Sequence, residues 1–330
     1  MNTLSWGIVS TARIGLQKVI PALKKSRWNR VVAISSRNYE TAKSAADRLR
    51  IPAAYGSYEE LLADPAVEAV YNPLPNNMHL SYTIQALRAG KHVLCEKPLT
   101  LTEAEAQEIE SEAAKHPELK LMEAFMYRFH PQWEKLQQLL EEGQTGSMRA
   151  VHAIFSFFND DAKNIRNRGD MGGGSLLDVG CYAVSSARLL FGSEPLRISA
   201  VMDLDPAENI DLTTSAVMEF EGGSAAFTSS IRAGRMNRVT VLGSEGSLVL
   251  ESAFIPSAIK QARIELIKGK KTKVIKVKPA DQYVLQADVF AKAVLEDTPV
   301  PYPISDARKN MRVLDAVKRS ALQGAAVSLE

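Results

Sequence analysis

Short apolar runs alternate with helically periodic segments from residue 4 to about residue 122. This alternation predicts a parallel sheet covered by helices. In the intervening segments apolar residues recur every three or four positions, as they do in amphipathic helices. The predicted strands are residues 6–9, 31–34, 69–71, 92–95 and 120–122, and the predicted helices are residues 14–24, 41–49, 80–89 and 102–115.

After a helical segment at residues 132–142, the pattern changes to alternating strands separated by turn signals. The turns include Glu221-Gly222-Gly223-Ser224 and Lys268-Gly269-Lys270-Lys271, which contain the residues that hairpins favour. We therefore predict an open, mostly antiparallel sheet. Its strands are expected at residues 149–158, 197–203, 213–220, 225–231, 239–242 and 264–267, with helices at 175–190, 282–296 and 306–321.

Together these patterns predict an α/β protein of two domains. Residues 1–122 would form a Rossmann-type, doubly wound parallel sheet, and residues 123–330 an α+β domain for substrate binding and oligomerisation. The length agrees, because 330 residues exceed the size at which one hydrophobic core stops growing. An open sheet with one uncovered face also predicts a homodimer or homotetramer formed through that sheet.

Composition excludes several classes of protein. Lys and Arg number 40 against 38 Asp and Glu, so a small-molecule partner is expected rather than nucleic acid or an anionic membrane. Cys95 and Cys181 lack disulfide or zinc spacing, and His116, His130 and His152 lack ligand spacing, so no metal is predicted. Without a recognisable signal or membrane-spanning segment, the chain is expected to be soluble and cytoplasmic.

A dinucleotide-binding loop needs small residues between the first strand and the first helix, because backbone amides must approach the pyrophosphate. Residues 7–15 read Gly-Ile-Val-Ser-Thr-Ala-Arg-Ile-Gly, which puts Ser10, Ala12 and Gly15 at the three small positions of GxGxxG. Two of the three glycines are replaced. The loop alone is therefore explained equally well by an ordinary strand-to-helix turn.

The end of the second predicted strand bears on which dinucleotide would bind. NAD-specific folds place an acidic residue there, on the ribose 2′-hydroxyl, whereas this chain has Ser36 and Arg37. Arginine can donate two charge-assisted hydrogen bonds to a 2′-phosphate. NADP is therefore favoured, with NAD as the alternative; a solvated loop arginine is the other explanation of Arg37.

Two further segments carry residues suited to acid–base chemistry. Cys95-Glu96-Lys97-Pro98 follows the fifth predicted strand, at the edge of a parallel sheet where ligands bind. In the segment from Gly172 to Tyr182, Asp178 and Tyr182 are four residues apart and would share one helix face. Ser175 and Asp178 also match a capping box, an alternative that leaves Tyr182 unexplained.

Taken together, these motifs resemble the Gfo/Idh/MocA oxidoreductases. The resemblance covers essentially the whole chain and rests on residues 7–15, Pro73-Leu74-Pro75-Asn76 with His79, Gly90 to Pro98, and Gly172 to Tyr182. Many members carry histidine where this chain has Tyr182. The tyrosine form, with Asn164-Ile165-Arg166-Asn167, is similar to the branch of glucose-fructose oxidoreductase, NADP-dependent xylose dehydrogenase and dimeric dihydrodiol dehydrogenase.

The resemblance implies an NAD(P)-dependent oxidoreductase acting on CH–OH groups, with Lys97 and Tyr182 at the reacting carbon. Asp178, Arg128 and Asn164 would bind the substrate, although Arg128 is equally explained by packing at the domain junction. The implied cofactor contacts are Ser10, Thr11, Ala12, Arg13, Ile14, Ser36, Arg37, Pro73, Leu74, Asn76, His79, Glu96 and Lys97.

Elementary chemistry agrees with this implication. Hydride transfer from an alcohol requires the hydroxyl proton to leave, and a phenol with a pKa of about 10 is a poor base near neutrality. An ammonium beside it, such as Lys97, would lower the pKa of Tyr182. The Asp178 carboxylate favours a sugar or cyclic polyol, because it accepts hydrogen bonds from hydroxyls. The alternatives are a ketoreductase of nucleotide-linked sugars and a non-catalytic NAD(P)-binding regulator, against which the presence of both Lys97 and Tyr182 argues.

Overall fold

The computed structural model describes residues 2–329, which divide into two compact units. The first comprises residues 2–126 with Gln282–Arg308, and the second Tyr127–Asp281 with residues 309–329. The sequence pattern assigns the helix at Gln282–Leu295 to the domain at residues 123–330, whereas the fold places it in the first unit. The reason is packing, because its Phe290 ring lies 5.3 Å from that of Trp6.

The first unit contains a parallel sheet in which the described residues order the strands β3-β2-β1-β4-β5-β6. A π-helical turn at Gly15–Val19 precedes α1. The elements are β1 (Leu4–Ile8), α1 (Ile20–Lys25), β2 (Asn29–Ser35), α2 (Tyr39–Leu49), β3 (Ala53–Tyr55), α3 (Tyr58–Ala63), β4 (Ala69–Asn72), α4 (His79–Arg88), β5 (His92–Cys95), α5 (Glu103–Ala113) and β6 (Leu121–Glu123).

This strand order is that of the doubly wound dinucleotide-binding fold. Its central strands are buried on both faces, as the apolar composition of β1 and β4 requires. From β1 the chain first adds strands on one side of the sheet and then, from β4, on the other side. Ligands are expected at this switch, beyond the carboxyl ends of β1 and β4. The predicted Rossmann-type fold is confirmed, although the sequence pattern missed the short elements β3 and α3.

The second unit is built on a sheet with the strand order β14-β13-β12-β11-β7-β10-β9-β8-β15 among the described residues. Adjacent strands in this sheet are antiparallel, except for the parallel pair β7 and β10. The predicted mostly antiparallel sheet is therefore confirmed. The remaining elements of the chain are α6 (Pro131–Glu141), β7 (Met148–Phe158), α7 (Cys181–Phe191), β8 (Arg197–Asp205), β9 (Ile210–Phe220), β10 (Gly223–Ser230), β11 (Arg232–Gly243), β12 (Ser247–Glu251), β13 (Ala262–Lys268), β14 (Lys271–Val277), α8 (Gln282–Leu295), α9 (Ile304–Gln323) and β15 (Val327–Ser328).

The helical pattern predicted at residues 175–190 is not one continuous α-helix. It begins as a π-helical turn, Leu176–Gly180, and continues as α7. Such turns are rare and occur frequently at functional sites. Among residues 2–329, no helix is long and apolar enough to cross a bilayer.

Candidate active site

The loop after β1 has the backbone conformation that a dinucleotide-binding loop requires. Ser10, at the first small position of the motif, has a φ of 84°, in the left-handed region that favours glycine. Gly15, at the third, packs against the sheet: a Cβ there would lie 3.7 Å from side-chain atoms of Ile8 and Tyr71. The serine that replaces the first glycine therefore keeps the backbone conformation of the motif.

Polar and cationic side chains surround this loop. A cavity of about 410 Å³ is lined by Thr11, Arg13, Leu16, Gln17 and Arg48. Hydroxyl and guanidinium groups of this kind fit the phosphates of a dinucleotide, and the sequence patterns did not single out Arg48.

Two predicted cofactor residues, Ser36 and Arg37, follow β2. Arg37 is exposed, and its positive charge acts on the Tyr58 phenol: burial raises the pKa of Tyr58, and the Arg37 charge partly offsets that rise. Arg37 follows the carboxyl end of β2, where NAD-specific folds carry an acidic residue on the ribose 2′-hydroxyl. These residues fit an NAD(P) cofactor.

His79 joins the segments that follow β4 and β5. Its Nδ1 lies 2.8 Å from the carbonyl oxygen of Pro98, and its Nε2 lies 2.8 Å from that of Leu74. The side chain has no exposed surface, and burial lowers its pKa. This is the geometry of a residue that supports the backbone. The other predicted residues between β4 and α4 are Pro73, Leu74 and Asn76.

Glu96 and Lys97 lie at the carboxyl end of β5. The Tyr71 hydroxyl donates a 2.6 Å hydrogen bond to Glu96 Oε1, and burial, followed by the Glu96 charge, raises the pKa of Tyr71. The Leu99 amide donates to Glu123 Oε1 at 2.8 Å. Hydrogen bonds therefore fix this segment on both sides of Lys97, whose own side chain is half-buried.

In the second unit, Tyr182 lies in an aromatic cluster at the start of α7. Its ring centroid is 5.7 Å from that of Tyr127, 5.4 Å from Phe155 and 5.4 Å from Phe254. Only 4% of the residue is exposed. The direction of the phenol is therefore set by packing as well as by the helix.

Asp178 lies within the π-helical turn that precedes α7, where its Oδ2 accepts a 2.6 Å hydrogen bond from Arg166 Nε. Asn164 accepts from the Arg166 amide at 3.1 Å and so begins a short 3₁₀ turn. The predicted substrate residues Asp178 and Asn164 are thus brought together through Arg166. Sequence reasoning noted Arg166 in a motif but missed its pairing with a carboxylate twelve residues away.

The capping box suggested by Ser175 and Asp178 does not form. Ser175 is already helical and makes no side-chain cap. Its hydroxyl instead donates a 2.6 Å hydrogen bond to Asp211 on β9. The alternative explanation of Asp178 is therefore wrong, because the side chains of Ser175 and Asp178 have partners elsewhere in the sheet and loops.

Arg128 contacts the same helix from the segment before α6. Its Nη2 donates a 2.7 Å hydrogen bond to Ser185 Oγ, which also lies 2.7 Å from the Tyr127 hydroxyl oxygen. Ser185 is one turn beyond Tyr182 on α7. The contacts of Arg128 within the unit therefore support the helix that carries Tyr182. Within residues 2–329, no three His, Cys, Asp or Glu side chains are grouped to hold a metal ion.

The fold and the residues at its edges define an NAD(P)-dependent oxidoreductase, and the comparisons identify its family. Residues 4–125 match the oxidoreductase family with an NAD-binding Rossmann fold, and residues 133–249 match the GFO/IDH/MocA C-terminal domain. The chain belongs to the Gfo/Idh/MocA oxidoreductase family. The resemblance and the cofactor class inferred from sequence are confirmed.

Relatives of this chain include dehydrogenases named for a sugar and for a diol. The chain is 38% identical to D-xylose 1-dehydrogenase (NADP(+)) 2 of Haloferax volcanii, over 99% of this chain and 100% of that one. It is 36% identical to trans-1,2-dihydrobenzene-1,2-diol dehydrogenase of Mus musculus, over 78% and 77% of the chains. A 3-ketoreductase from Actinomadura kijaniata, in complex with NADP and TDP-benzene, is 31% identical with a TM-score of 0.92, over 97% and 98%.

Proposed function

We propose that the protein transfers hydride reversibly between NADP(H) and a hydroxyl or carbonyl carbon of a sugar or cyclic polyol. The observation that carries the proposal is the buried Tyr182 phenol, held among aromatic rings one helical turn from the Asp178 carboxylate. A rigid acid–base group beside a hydroxyl-binding carboxylate suits this reaction. The names of the xylose and dihydrodiol dehydrogenases support it.

In the oxidative direction, the substrate carbon loses a hydride and its oxygen loses a proton, so that a carbonyl forms. The bound cofactor supplies the nicotinamide that accepts or donates the hydride. Tyr182 takes the proton, and returns it in the reductive direction. The Lys97 ammonium stabilises negative charge on the phenol and on the substrate oxygen. The proposal requires Lys97 of the first unit and Tyr182 of the second to reach the same substrate oxygen.

Asp178 is proposed to accept hydrogen bonds from substrate hydroxyls. An ionised carboxylate has about four acceptor sites, and Arg166 donates to one of its oxygens, Oδ2. Arg166 also sets the direction of the carboxylate. We propose that Arg128 and Asn164 support the substrate site indirectly. The Arg128 guanidinium donates to the Ser185 hydroxyl, and the Asn164 side chain accepts from the Arg166 amide.

The preference for NADP over NAD is assigned to positive charge beyond β1 and β2. Arg13 and Arg48 line the cavity beside the dinucleotide-binding loop, and Arg37 replaces the acid that NAD-specific folds carry. A carboxylate there would repel the 2′-phosphate, whereas guanidinium groups bind it.

Self-association through the second unit's sheet, as a homodimer or homotetramer, is part of the proposal. One face of β8 and β9 exposes Val201 and Val217, at 69% and 52%. The same face forms a groove of about 450 Å³. Apolar side chains in such a row are typical of an interface. A cytoplasmic location is proposed because Cys95 and Cys181 are both buried free thiols.

A second candidate is reduction of a keto group on a nucleotide-linked sugar. It is favoured by the TM-score of 0.92 and 97% coverage with the 3-ketoreductase from Actinomadura kijaniata. The two candidates share Lys97 and Tyr182 and differ in the size of the substrate. A panel of substrates with purified protein separates them: aldoses and cyclic polyols with NADP, and nucleotide-linked ketosugars with NADPH, followed by nicotinamide absorbance.

The role of Tyr182 is tested with Tyr182→Phe. Phenylalanine keeps the aromatic packing and removes only the hydroxyl, so kcat should fall by about 10²- to 10⁴-fold, the usual contribution of a general acid or base. NADPH affinity should be unchanged. Tyr127→Phe is the matched control, because it removes a phenol from the same cluster without a proposed proton transfer. Near-normal turnover by Tyr182→Phe would remove this residue from the mechanism.

A further inference from the structure

Asp211, on β9, is a buried carboxylate that sequence reasoning did not select. One of its oxygens, Oδ2, receives three hydrogen bonds. The Ser175 hydroxyl donates at 2.6 Å, the Thr214 hydroxyl at 2.6 Å and the Leu176 amide at 2.7 Å. Only 8% of Asp211 is exposed. Three donors converging on one buried oxygen form a specific anchor rather than a solvated surface contact.

The anchor holds the start of the π-helical turn that carries Asp178. Leu176 is the first residue of that turn, and its amide would otherwise be one of the unpaired donors at a helix N-terminus. A carboxylate there also interacts favourably with the helix dipole. Burial raises the pKa of Asp211, and the three hydrogen bonds oppose this effect.

The glycines before Ser175 fit the same arrangement. A Cβ on Gly174 would lie 2.3 Å from Asp211 Oδ1, and Gly174 has a φ of 103°. A Cβ on Gly173 would lie 2.6 Å from the carbonyl oxygen of Arg166. This segment therefore passes between Asp211 and the turn that supplies Arg166, the partner of Asp178, with no space for side chains.

We propose that Asp211 is a positioning residue for substrate recognition, because its carboxylate fixes where the π-helical turn begins and thereby directs Asp178. This inference rests on the proposed function. A π-helical turn closes i→i+5 hydrogen bonds rather than i→i+4, so its starting residue determines where the side chains within it point. Tyr182 is held in addition by its aromatic cluster. Asp178 lies within the turn itself and accepts a hydrogen bond from Arg166.

Asp211→Asn separates positioning from general stability. The amide keeps the shape but replaces charge-assisted hydrogen bonds by weaker neutral ones. Displacement of Asp178 should raise the substrate KM by about tenfold or more, while kcat changes less than about threefold and NADPH affinity is kept. A purely structural role would reduce the active fraction and hence the apparent kcat, and would leave KM unchanged.

Three further measurements make the test decisive. Asp203→Asn on β8 is the matched control, since it makes the same change at an exposed position, and its KM should equal that of the wild type. If Asp211→Asn does not fold, Thr214→Val removes one donor and should raise KM more modestly. A crystal structure of whichever variant folds should show a displaced Leu176–Gly180 turn.

The outcomes keep this inference distinct from the proposed function. Wild-type turnover together with an inactive Tyr182→Phe supports the function. In that case, unchanged KM in Asp211→Asn and Thr214→Val would overturn the positioning role. Absence of wild-type turnover would count against the function, and an undisplaced π-helical turn in the variant crystal structure would then overturn the positioning role independently.

Discussion

Protonation of His130 should destabilise the second unit at acidic pH. His130 begins α6, where its Nδ1 accepts a hydrogen bond from the Gln132 amide at 3.2 Å. The residue is only 1% exposed, and burial lowers its pKa from 6.5 to about 4. A protonated ring would lose its acceptor nitrogen and place a charge in the interior.

The sign and size of the effect follow from linkage. As pH falls, the unfolded chain takes up a proton on His130 near pH 6.5, whereas the folded protein does so only near pH 4. The free energy of unfolding should therefore fall as pH decreases between 6.5 and about 4. At 1.36 kcal/mol per pH unit, the full contribution is about 3 kcal/mol, present above pH 6.5.

The assay is urea unfolding at several pH values, followed by tryptophan fluorescence, to which Trp133, fully buried in the second unit, contributes. His130→Asn keeps a residue that caps helices well and removes the titration. Its free energy of unfolding should depend less on pH over this interval than that of the wild type. The exposed His152 supplies the control, His152→Asn, which should behave as the wild type does. Equal pH dependence in wild type and His130→Asn, within about 0.5 kcal/mol, would refute the reasoning.

Two further predictions concern the cofactor and the sheet. Arg37→Ala should weaken NADP binding by about 10- to 100-fold and NAD binding much less, because only NADP carries the 2′-phosphate. Binding titrations with both nucleotides check this. Tyr58→Phe, which removes only the hydroxyl of the phenol beside Arg37, is the control. Equal losses of affinity for the two nucleotides would reject a role of Arg37 in binding the 2′-phosphate. Lysine at both Val201 and Val217 should yield smaller particles in analytical ultracentrifugation, whereas Val274→Lys on the edge strand β14 should not. An unchanged sedimentation coefficient would exclude this face as the interface.

Local sequence patterns predicted most of the long strands and missed several short or charged ones, the interior strand β12 among them. The strand predicted at residues 92–95 coincides with β5 because it is an apolar run bounded by turn residues. By contrast, β3 is three residues long and half-exposed, and β14 is an edge strand rich in lysine. Charged edge strands prevent association with other sheets, and that property removes the alternation by which strands are recognised.

The sequence motifs single out candidate catalytic side chains but not the contacts that orient them. Lys97 and Tyr182 stand in motifs that are visible along the chain. The partners of the motif at residues 172–182 lie elsewhere: Arg166 pairs with Asp178 across twelve positions, and Asp211 binds Ser175 across thirty-six. No helical or strand periodicity relates such positions, because tertiary folding brings them together. The π-helical turn is hidden for the same reason.

Ser10 shows why the glycine pattern was a weak predictor of a loop that nevertheless has the expected shape. The motif requires a backbone with positive φ, which glycine adopts without strain; a serine held there costs of the order of 1 kcal/mol or more. The observed φ of 84° means that the surrounding structure compensates for this strain. Ser10 also accepts a hydrogen bond from the Ala12 amide at 3.3 Å, a local contact that glycine could not make. A motif defined by residue type therefore misses loops in which another residue adopts the required backbone conformation.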